Sequence, residues 1–479
     1  MGETSNLRIA IVGGGPGGYA AAFLAADLGI KVAMIDPEVN PGGVCLYRGC
    51  IPSKALLHVA KLIEESHQAK NWGIEFANPK IDLARLRAWK ESVVKKLTGG
   101  LGQLSKQHSV QYIQGRAGFE NSNTLKIAAV DGGQEKLSFD RIIIATGSRP
   151  AVIPSLKLES PRMLDSTSAL DLPDIPKSLL VIGGGYIGLE LGSVYASLGT
   201  RVTCVEMLSG LLPGSADRDL VLPLHKKLEK VFEAIHVNTS VAAVKEESSG
   251  IRATLKDSDG KTSDKVFERV LVSVGRKPNS EVPGLEKTKV QVNPRGFIQV
   301  NPQLQTHDPY IFAIGDVVGE PMLAHKAMHE GRTAVEAIAG HKVAFEPNAI
   351  PAVVFTDPEI AWAGLTEAQA REQNREIAVA KFPWGASGRA ITLDRPDGLT
   401  KLVIDPKSER VLGVGIVGAG AGELIAEGVV AIEMCAVAAD LELTIHPHPT
   451  LSETLMEAAE VFYGRATDVY RPKKTRAAS

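Results

Sequence analysis

The most distinctive chemistry in the chain is offered by two cysteines, Cys45 and Cys50, in the run Gly42-Gly43-Val44-Cys45-Leu46-Tyr47-Arg48-Gly49-Cys50-Ile51-Pro52-Ser53-Lys54. A disulfide closing so short a loop restricts the unfolded chain little, so its stabilising effect is small. In a reducing compartment such a bridge is redox machinery rather than a staple. Zinc prefers four ligands and closer cysteine spacing. Here there is no second pair, since Cys204 lies in a strand-like run and Cys435 on a helix-like face. Two inert buried thiols remain the alternative for the pair taken alone. Thiol–disulfide exchange needs a base, because the thiolate is the nucleophile. The segment Thr444-Ile445-His446-Pro447-His448-Pro449-Thr450-Leu451-Ser452-Glu453 offers one. His448 with Glu453 five residues on can form an imidazole–carboxylate pair, which fixes the tautomer and favours the protonated ring. A metal-binding His-x-His and a surface histidine pair are the alternatives there. The prolines hold the segment extended, and Thr450 or Ser452 is expected to cap the helix that follows.

These groups need a scaffold, and an internal repeat supplies it. Ile9 to Val12 runs into Gly13-Gly14-Gly15-Pro16-Gly17-Gly18, an apolar helix and a second strand ending at Asp36; Leu179 to Ile182 runs into Gly183-Gly184-Gly185-Tyr186-Ile187-Gly188, another helix and a strand ending at Glu206. Gly13 and Gly183, like Asp36 and Glu206, are 170 residues apart. A lone G-x-G-x-x-G would occur about 0.5 times by chance in a chain this glycine-rich. Two copies in the same strand–helix–strand setting, each with an acid 18 residues past the last glycine, are far more specific. The glycines permit a tight turn and close approach to a pyrophosphate at a helix N-terminus, while the acid accepts from ribose hydroxyls. Glu206 would repel a 2′-phosphate and no cation follows it closely, which favours NAD over NADP. Two dinucleotide sites and a redox disulfide form a two-electron relay, whose natural middle member is a flavin. Tyr310 to Asp316 reads as a buried strand ending in an acid.

Composition sets the limits. With 53 Lys+Arg against 55 Asp+Glu, the net charge of −2 argues against a nucleic-acid or anionic-membrane partner. Four cysteines rule out a disulfide-stapled secreted scaffold. The polar start, Met1 to Asn6, leaves no room for a signal or transit peptide before the strand at Leu7. The longest apolar stretch, Val411 to Ala439, carries Glu423, Glu427 and Glu433 and reads as a core or subunit-interface helix with Leu424, Ile425, Val429, Ile432 and Cys435 on one face. A cytoplasmic location is expected. The basic tail from Arg471 to Arg476 reads as a solvated end. The fold class is α/β: two Rossmann-like dinucleotide-binding domains plus a C-terminal α+β domain. With the cofactors and the dimerisation role that the family resemblance below implies, the expected divisions are 1–150 (FAD-binding, first part), 151–278 (NAD-binding), 279–348 (FAD/central, second part) and 349–479 (dimerisation).

Taken together these motifs resemble the dihydrolipoamide dehydrogenases, within the class I pyridine nucleotide-disulfide oxidoreductases, from Gly13 to Glu453 and a strand following Glu460. The resemblance implies a homodimer in which His448 of one subunit serves the cystine of the other, with Cys45 as the interchange thiol, Cys50 facing the flavin, and Glu453 orienting the base. It implies FAD held by Gly13, Gly15, Gly18, Asp36, Gly43, Val44, Cys45, Lys54, Ala117, Thr146, Gly147, Ser148, Asp316, Met322, Leu323, Ala324 and His325. It implies NAD held by Gly183, Gly184, Gly185, Tyr186, Ile187, Gly188, Glu190, Glu206, Val241 and Gly275, with Lys54 paired to Glu190 and no metal. The implied reaction is oxidation of protein-bound dihydrolipoyl groups, so lipoyl domains of 2-oxoacid dehydrogenase complexes or of a glycine cleavage system are the implied partners. Tyr47-Arg48 departs from the family's usual Asn-Val, and Arg48 is expected either to lower a thiol pKa or to face solvent. Pro447 stands where the family usually has Ala. Glutathione-reductase-like and mercuric-reductase-like enzymes, or a non-catalytic flavin-binding scaffold, are the rival readings.

Overall fold

In the computed structural model, which describes residues 7–470, the strand Arg8–Val12 sits inside a seven-stranded sheet. Its apolar run, Ile9, Ala10 and Ile11, is fully buried, as expected for a parallel strand covered on both faces. Lys31–Asp36 pairs parallel on one side and Arg141–Ile144 on the other. Ile311–Ala313, from far along the chain, joins beyond Arg141–Ile144, so the sheet is completed by two separate stretches of sequence. The second repeat forms its own five-stranded parallel sheet, in which Ser178–Ile182 lies between Arg201–Val205 and Arg269–Val272. A short antiparallel pair, Ser148–Pro150 with Arg276–Pro278, links the two.

The C-terminal part is an antiparallel five-stranded sheet covered by the helices Ala421–Glu433 and Glu453–Tyr463. Its strands are Ala352–Val354, Glu359–Gly364, Ala378–Pro383, Leu399–Ile404 and Val411–Gly418, so the apolar stretch from Val411 opens as a buried strand and is helical only from Ala421. Lys401, only 1% exposed, ties this sheet to the second repeat through Asp217 (2.7 Å) and Asp219 (2.7 Å). Among the described residues no helix is long and apolar enough to cross a membrane.

Three local expectations are corrected. The segment after Glu460 continues a helix to Tyr463 and forms no strand. Cys435 lies beyond the end of the helix Ala421–Glu433, exposed and at φ 57°, because the chain must turn sharply there. Neither Thr450 nor Ser452 caps the last helix by its side chain; Glu453 instead reaches back to accept from Thr450 N (2.6 Å). Met1 to Asn6 and the tail from Arg471 lie outside the described residues.

Candidate active site

The redox segment is fastened directly onto the first glycine turn. Gly42 N donates to Gly14 O (2.7 Å). Gly43, at φ +58°, lies so close that a Cβ there would stand 2.5 Å from Gly15 Cα. Only glycine tolerates both that conformation and that approach. Cys45 then sits in a one-and-a-half-turn helix, Gly43–Arg48, and Cys50 starts the long helix Cys50–Gln68. Leu56, Ala60 and Ile63 bury the long helix, so Cys50 stands on a rigid base.

Both thiols are free and line a cavity of about 700 Å³. The cavity runs from Asp36 and the Gly13–Gly15 turn to Cys50, Lys54 and Asp316. Its walls change character along that length. A carboxylate and backbone N–H groups stand at one end, and thiols, an ammonium and a second carboxylate at the other. Gly147 has no atom within 4 Å of a built Cβ, and Gly15 has only Gly43 Cα at 4.0 Å, so side chains there would fill the cradle. These walls would suit an extended dinucleotide, the glycine turn offering N–H groups to phosphates and Cys50 and Lys54 flanking the space for a redox-active ring.

Of the residues expected at the first dinucleotide, the structure sets all on this wall except Gly18, Leu323 and His325. Gly18 packs the helix on the turn, where a Cβ would meet Gly13 O at 1.9 Å. Leu323 lines the second cavity, and His325 hydrogen-bonds the Pro351 carbonyl (2.8 Å). Asp36 accepts from Gly14 N (2.6 Å) and Glu38 N (2.9 Å), so it first braces the loop. Glu206 repeats this on Gly184 N (2.7 Å) and Leu208 N (2.8 Å). A carboxylate keeps further lone pairs for a ribose.

A second cavity, about 1190 Å³, is lined by Gly185, Tyr186, Ile187 and Gly275, together with residues of the C-terminal part. Gly183, Gly184, Gly188, Glu206 and Val241 lie off its wall. The glycines among them build the turn, and Val241 packs against the core beneath the Ser240–Glu247 strand. Glu190, expected at the second site, belongs to the first: it is 3% exposed and lines the cavity of the thiols.

The electrostatics around the thiols are asymmetric. Lys54 Nζ bonds Glu190 Oε2 (2.9 Å) and stands 4.5 Å from the centre of the Phe355 ring, while Glu190 Oε1 accepts from Phe355 N (2.9 Å). A hydrogen bond from Cys45 lowers the Cys50 pKa to about 7 against the opposing effect of burial, with Lys54 assisting. Cys45 is pushed up by that same hydrogen bond, by burial and by the Cys50 charge. Cys50 is therefore the more acidic thiol of the reduced pair. Of the two courses expected of Arg48, the solvent-facing one is the nearer: its side chain is 41% exposed and pairs with Glu38, and it is not among the groups that shift the thiols.

At the far end of the chain, His448 Nδ1 bonds Glu453 Oε1 (2.9 Å), leaving Nε2 free. Its side chain is 78% exposed. His446 is 5% exposed and held by Glu427 (2.8 Å), which makes it the structural member of the two. Around this loop Val430, Met434, Leu443 and Ile445 are strongly exposed, Ile445 at 96%.

Sequence reasoning missed Glu330, which is buried, accepts from Gly315 N (2.6 Å) and pairs with Lys326 (2.6 Å), fixing the turn that carries Asp316. It also missed Arg276. The Gly275-Arg276-Lys277-Pro278 echo of Gly147-Ser148-Arg149-Pro150 was the available signal.

The family model described as Pyridine nucleotide-disulphide oxidoreductase matches residues 7–331, and the dimerisation domain of the same family matches residues 350–459. A dihydrolipoyl dehydrogenase of Haemophilus influenzae is 47% identical over 475 residues, covering 99% of this chain and 98% of the relative. One from Geobacillus stearothermophilus is 46% identical over 96% of this chain and 97% of its own. Among solved structures, LpdA from Mycobacterium tuberculosis aligns with TM-score 0.87 and 28% identity, over 95% of this chain and 99% of its own. The HOCl-induced flavoprotein disulfide reductase RclA from Escherichia coli aligns with TM-score 0.83 and 27% identity, over the same shares.

Proposed function

The chain belongs to the pyridine nucleotide-disulphide oxidoreductase family, and from that premise we propose that it is a dihydrolipoyl dehydrogenase. It oxidises dihydrolipoyl groups through Cys45 and Cys50, with FAD as the bound redox group and NAD⁺ as the final acceptor. The observation that carries the reading is the thiol pair on the wall of a dinucleotide-shaped cavity, with Lys54 and Glu190 beside it. Bound FAD supplies two-electron chemistry that links a thiolate on one side to a nicotinamide on the other.

The side chains then divide the work. His448 Nε2 takes a proton from the substrate dithiol, and Glu453 stabilises the resulting imidazolium through Nδ1–H. The substrate thiolate attacks Cys45 Sγ, the Cys45–Cys50 bond breaks, and Cys50 leaves as a thiolate, the better leaving group because its pKa is the lower of the two. The second substrate thiol attacks the mixed disulfide and releases Cys45 as a thiol. Two electrons have then passed from dithiol to cystine; of the two substrate protons, one is on Cys45 and the other on His448. Asp316, held by Ser148 Oγ (2.5 Å), and the glycine turn anchor FAD.

His448 lies at the opposite end of the sequence from Cys45, and a second copy brings the base to the thiols. The exposed apolar residues around the His448 loop supply the surface such a dimer buries. We divide the chain at 1–150, 151–278, 279–348 and 349–479; the placing of Ile311–Ala313 in the sheet of Arg8–Val12 supports reading the first and third stretches as one domain. Lipoyl domains of a 2-oxoacid dehydrogenase complex or glycine cleavage system are the fitting substrates, and a chain with only four cysteines fits a reducing, cytoplasmic setting.

One assay tests this: dihydrolipoamide oxidation with NAD⁺ or NADP⁺, beside glutathione disulfide reduction with NADH or NADPH. Activity with dihydrolipoamide and NAD⁺ is expected, with NADP⁺ at least ~10-fold poorer, about 1.4 kcal/mol, because Glu206 opposes a 2′-phosphate. Preference for glutathione disulfide and NADPH would overturn the assignment.

A further inference from the structure

Arg276 has no role in the chemistry above, yet it stands between the two cavities and lines both. It lies on the short strand Arg276–Pro278, which pairs with Ser148–Pro150 and so joins the two repeats. Its Nε donates to Ser148 Oγ (2.7 Å) and an Nη donates to Ser148 O (2.8 Å). The same Ser148 Oγ donates to Asp316 Oδ2 (2.5 Å). Ser148 is 2% exposed, so this chain of hydrogen bonds is shielded from water and its members polarise one another. Tyr186, Ile187 and Met322 also face both cavities, but none of them bonds to an anchor of the first site.

We propose that Arg276 is a positioning residue that couples the two dinucleotide sites, transmitting occupancy of the second cavity through Ser148 to the Asp316 carboxylate. The guanidinium already rests on Ser148, and a dinucleotide seated against Arg276 holds it there and opposes its release. That fixes the Ser148 hydroxyl on Asp316 and tightens the hold on FAD. The coupling is reciprocal, so FAD tightens the second site by the same factor. The inference rests on the reading of the first cavity as the FAD site.

The test is the rate of FAD release from the holoprotein, measured by flavin fluorescence with and without saturating NAD⁺. In the wild type NAD⁺ is expected to slow release at least about fivefold, the lower end of ordinary coupling. Arg276→Gln should bring the ratio to one, Arg276→Lys should restore part of it, and Ser148→Ala should remove it with the arginine intact. Faster release in Arg276→Gln with an unchanged ratio means a merely structural arginine and overturns the proposal, as does a wild-type ratio of one. If Arg276→Gln does not fold, Ser148→Ala and Arg276→Lys give the same decision. A protein that binds no flavin contradicts the reading of the cavity, whereas bound flavin with a ratio of one contradicts this inference alone.

Discussion

His448→Ala is expected to slow dihydrolipoamide oxidation by about 10² to 10⁴, the usual worth of a positioned general base and roughly 3 to 5 kcal/mol of barrier. The structure gives this imidazole the required form. Nδ1 is committed to Glu453 (2.9 Å), and Glu453 is itself fixed by Thr450 N (2.6 Å), so Nε2 is the available atom. The effect should be confined to the dithiol half of the reaction. Flavin content should stay at the wild-type level, and so should electron transfer from NADH to an artificial acceptor, because His448 touches neither cavity. Glu453→Gln should cost less, since an amide still accepts from Nδ1–H but no longer stabilises the imidazolium. Stopped-flow reduction of the bound flavin by dihydrolipoamide separates these steps. Near-wild-type rates in His448→Ala would remove the base from the account.

Replacing either member of the thiol pair should have a still larger effect. Without a Cys45–Cys50 bond there is no electrophilic sulfur for the substrate thiolate, so Cys45→Ser and Cys50→Ser should each lose turnover by more than about 10⁴, beyond the worth of any single base. The two variants differ in what remains. The Cys50 thiolate depends first on a hydrogen bond from Cys45 and then on Lys54. Cys45→Ser keeps a hydroxyl that can donate, so Cys50 should still alkylate as a thiolate above a pH of about 7 and lose that reactivity below it. In Cys45→Ala the donor is gone, the Cys50 pKa rises, and the reactive window moves to higher pH. Iodoacetamide rates across pH on both variants measure the shift. Identical profiles would mean that the hydrogen bond between the thiols does not set the charge.

The parts of the site written within one stretch of sequence were legible before any coordinates. Gly13 to Asp36 and Gly183 to Glu206 carry their own turn chemistry. The Cys45–Cys50 run announces itself by spacing, and His448 with Glu453 is a contact of five residues' separation. What long-range packing decides was not legible. Periodicity could not divide the redox segment into two helices, because the break at Gly49 follows from packing: a Cβ there would meet Val44 O at 2.8 Å. Glu190 meets Lys54 as the resemblance implied, but its place on the wall of the first cavity and its bond from Phe355 N, both set by residues remote in sequence, could not be read from the glycine turn it follows. Sequence proximity leaves open whether Arg48 acts on the thiols or faces solvent; its pairing with Glu38 is a contact that the spacing does not reveal. The mistaken strand after Glu460 has the same origin: Glu460, Val461, Phe462 and Tyr463 look like a strand locally, but Leu455, Ala458, Ala459 and Val461 bury one face of a helix against the C-terminal sheet.

The central claim is a single path for two electrons, from substrate dithiol through Cys45 and Cys50 and bound FAD to NAD⁺. It is tested most directly by anaerobic titration of the purified holoprotein with dihydrolipoamide, followed by addition of NAD⁺. The expected result is a change in the flavin spectrum complete at one equivalent per subunit, with two cysteines per chain becoming alkylatable. One NADH per subunit should then form, the spectrum returning to its starting state. A protein that binds no flavin, or one whose flavin spectrum and cysteines are unmoved by dihydrolipoamide, would contradict it.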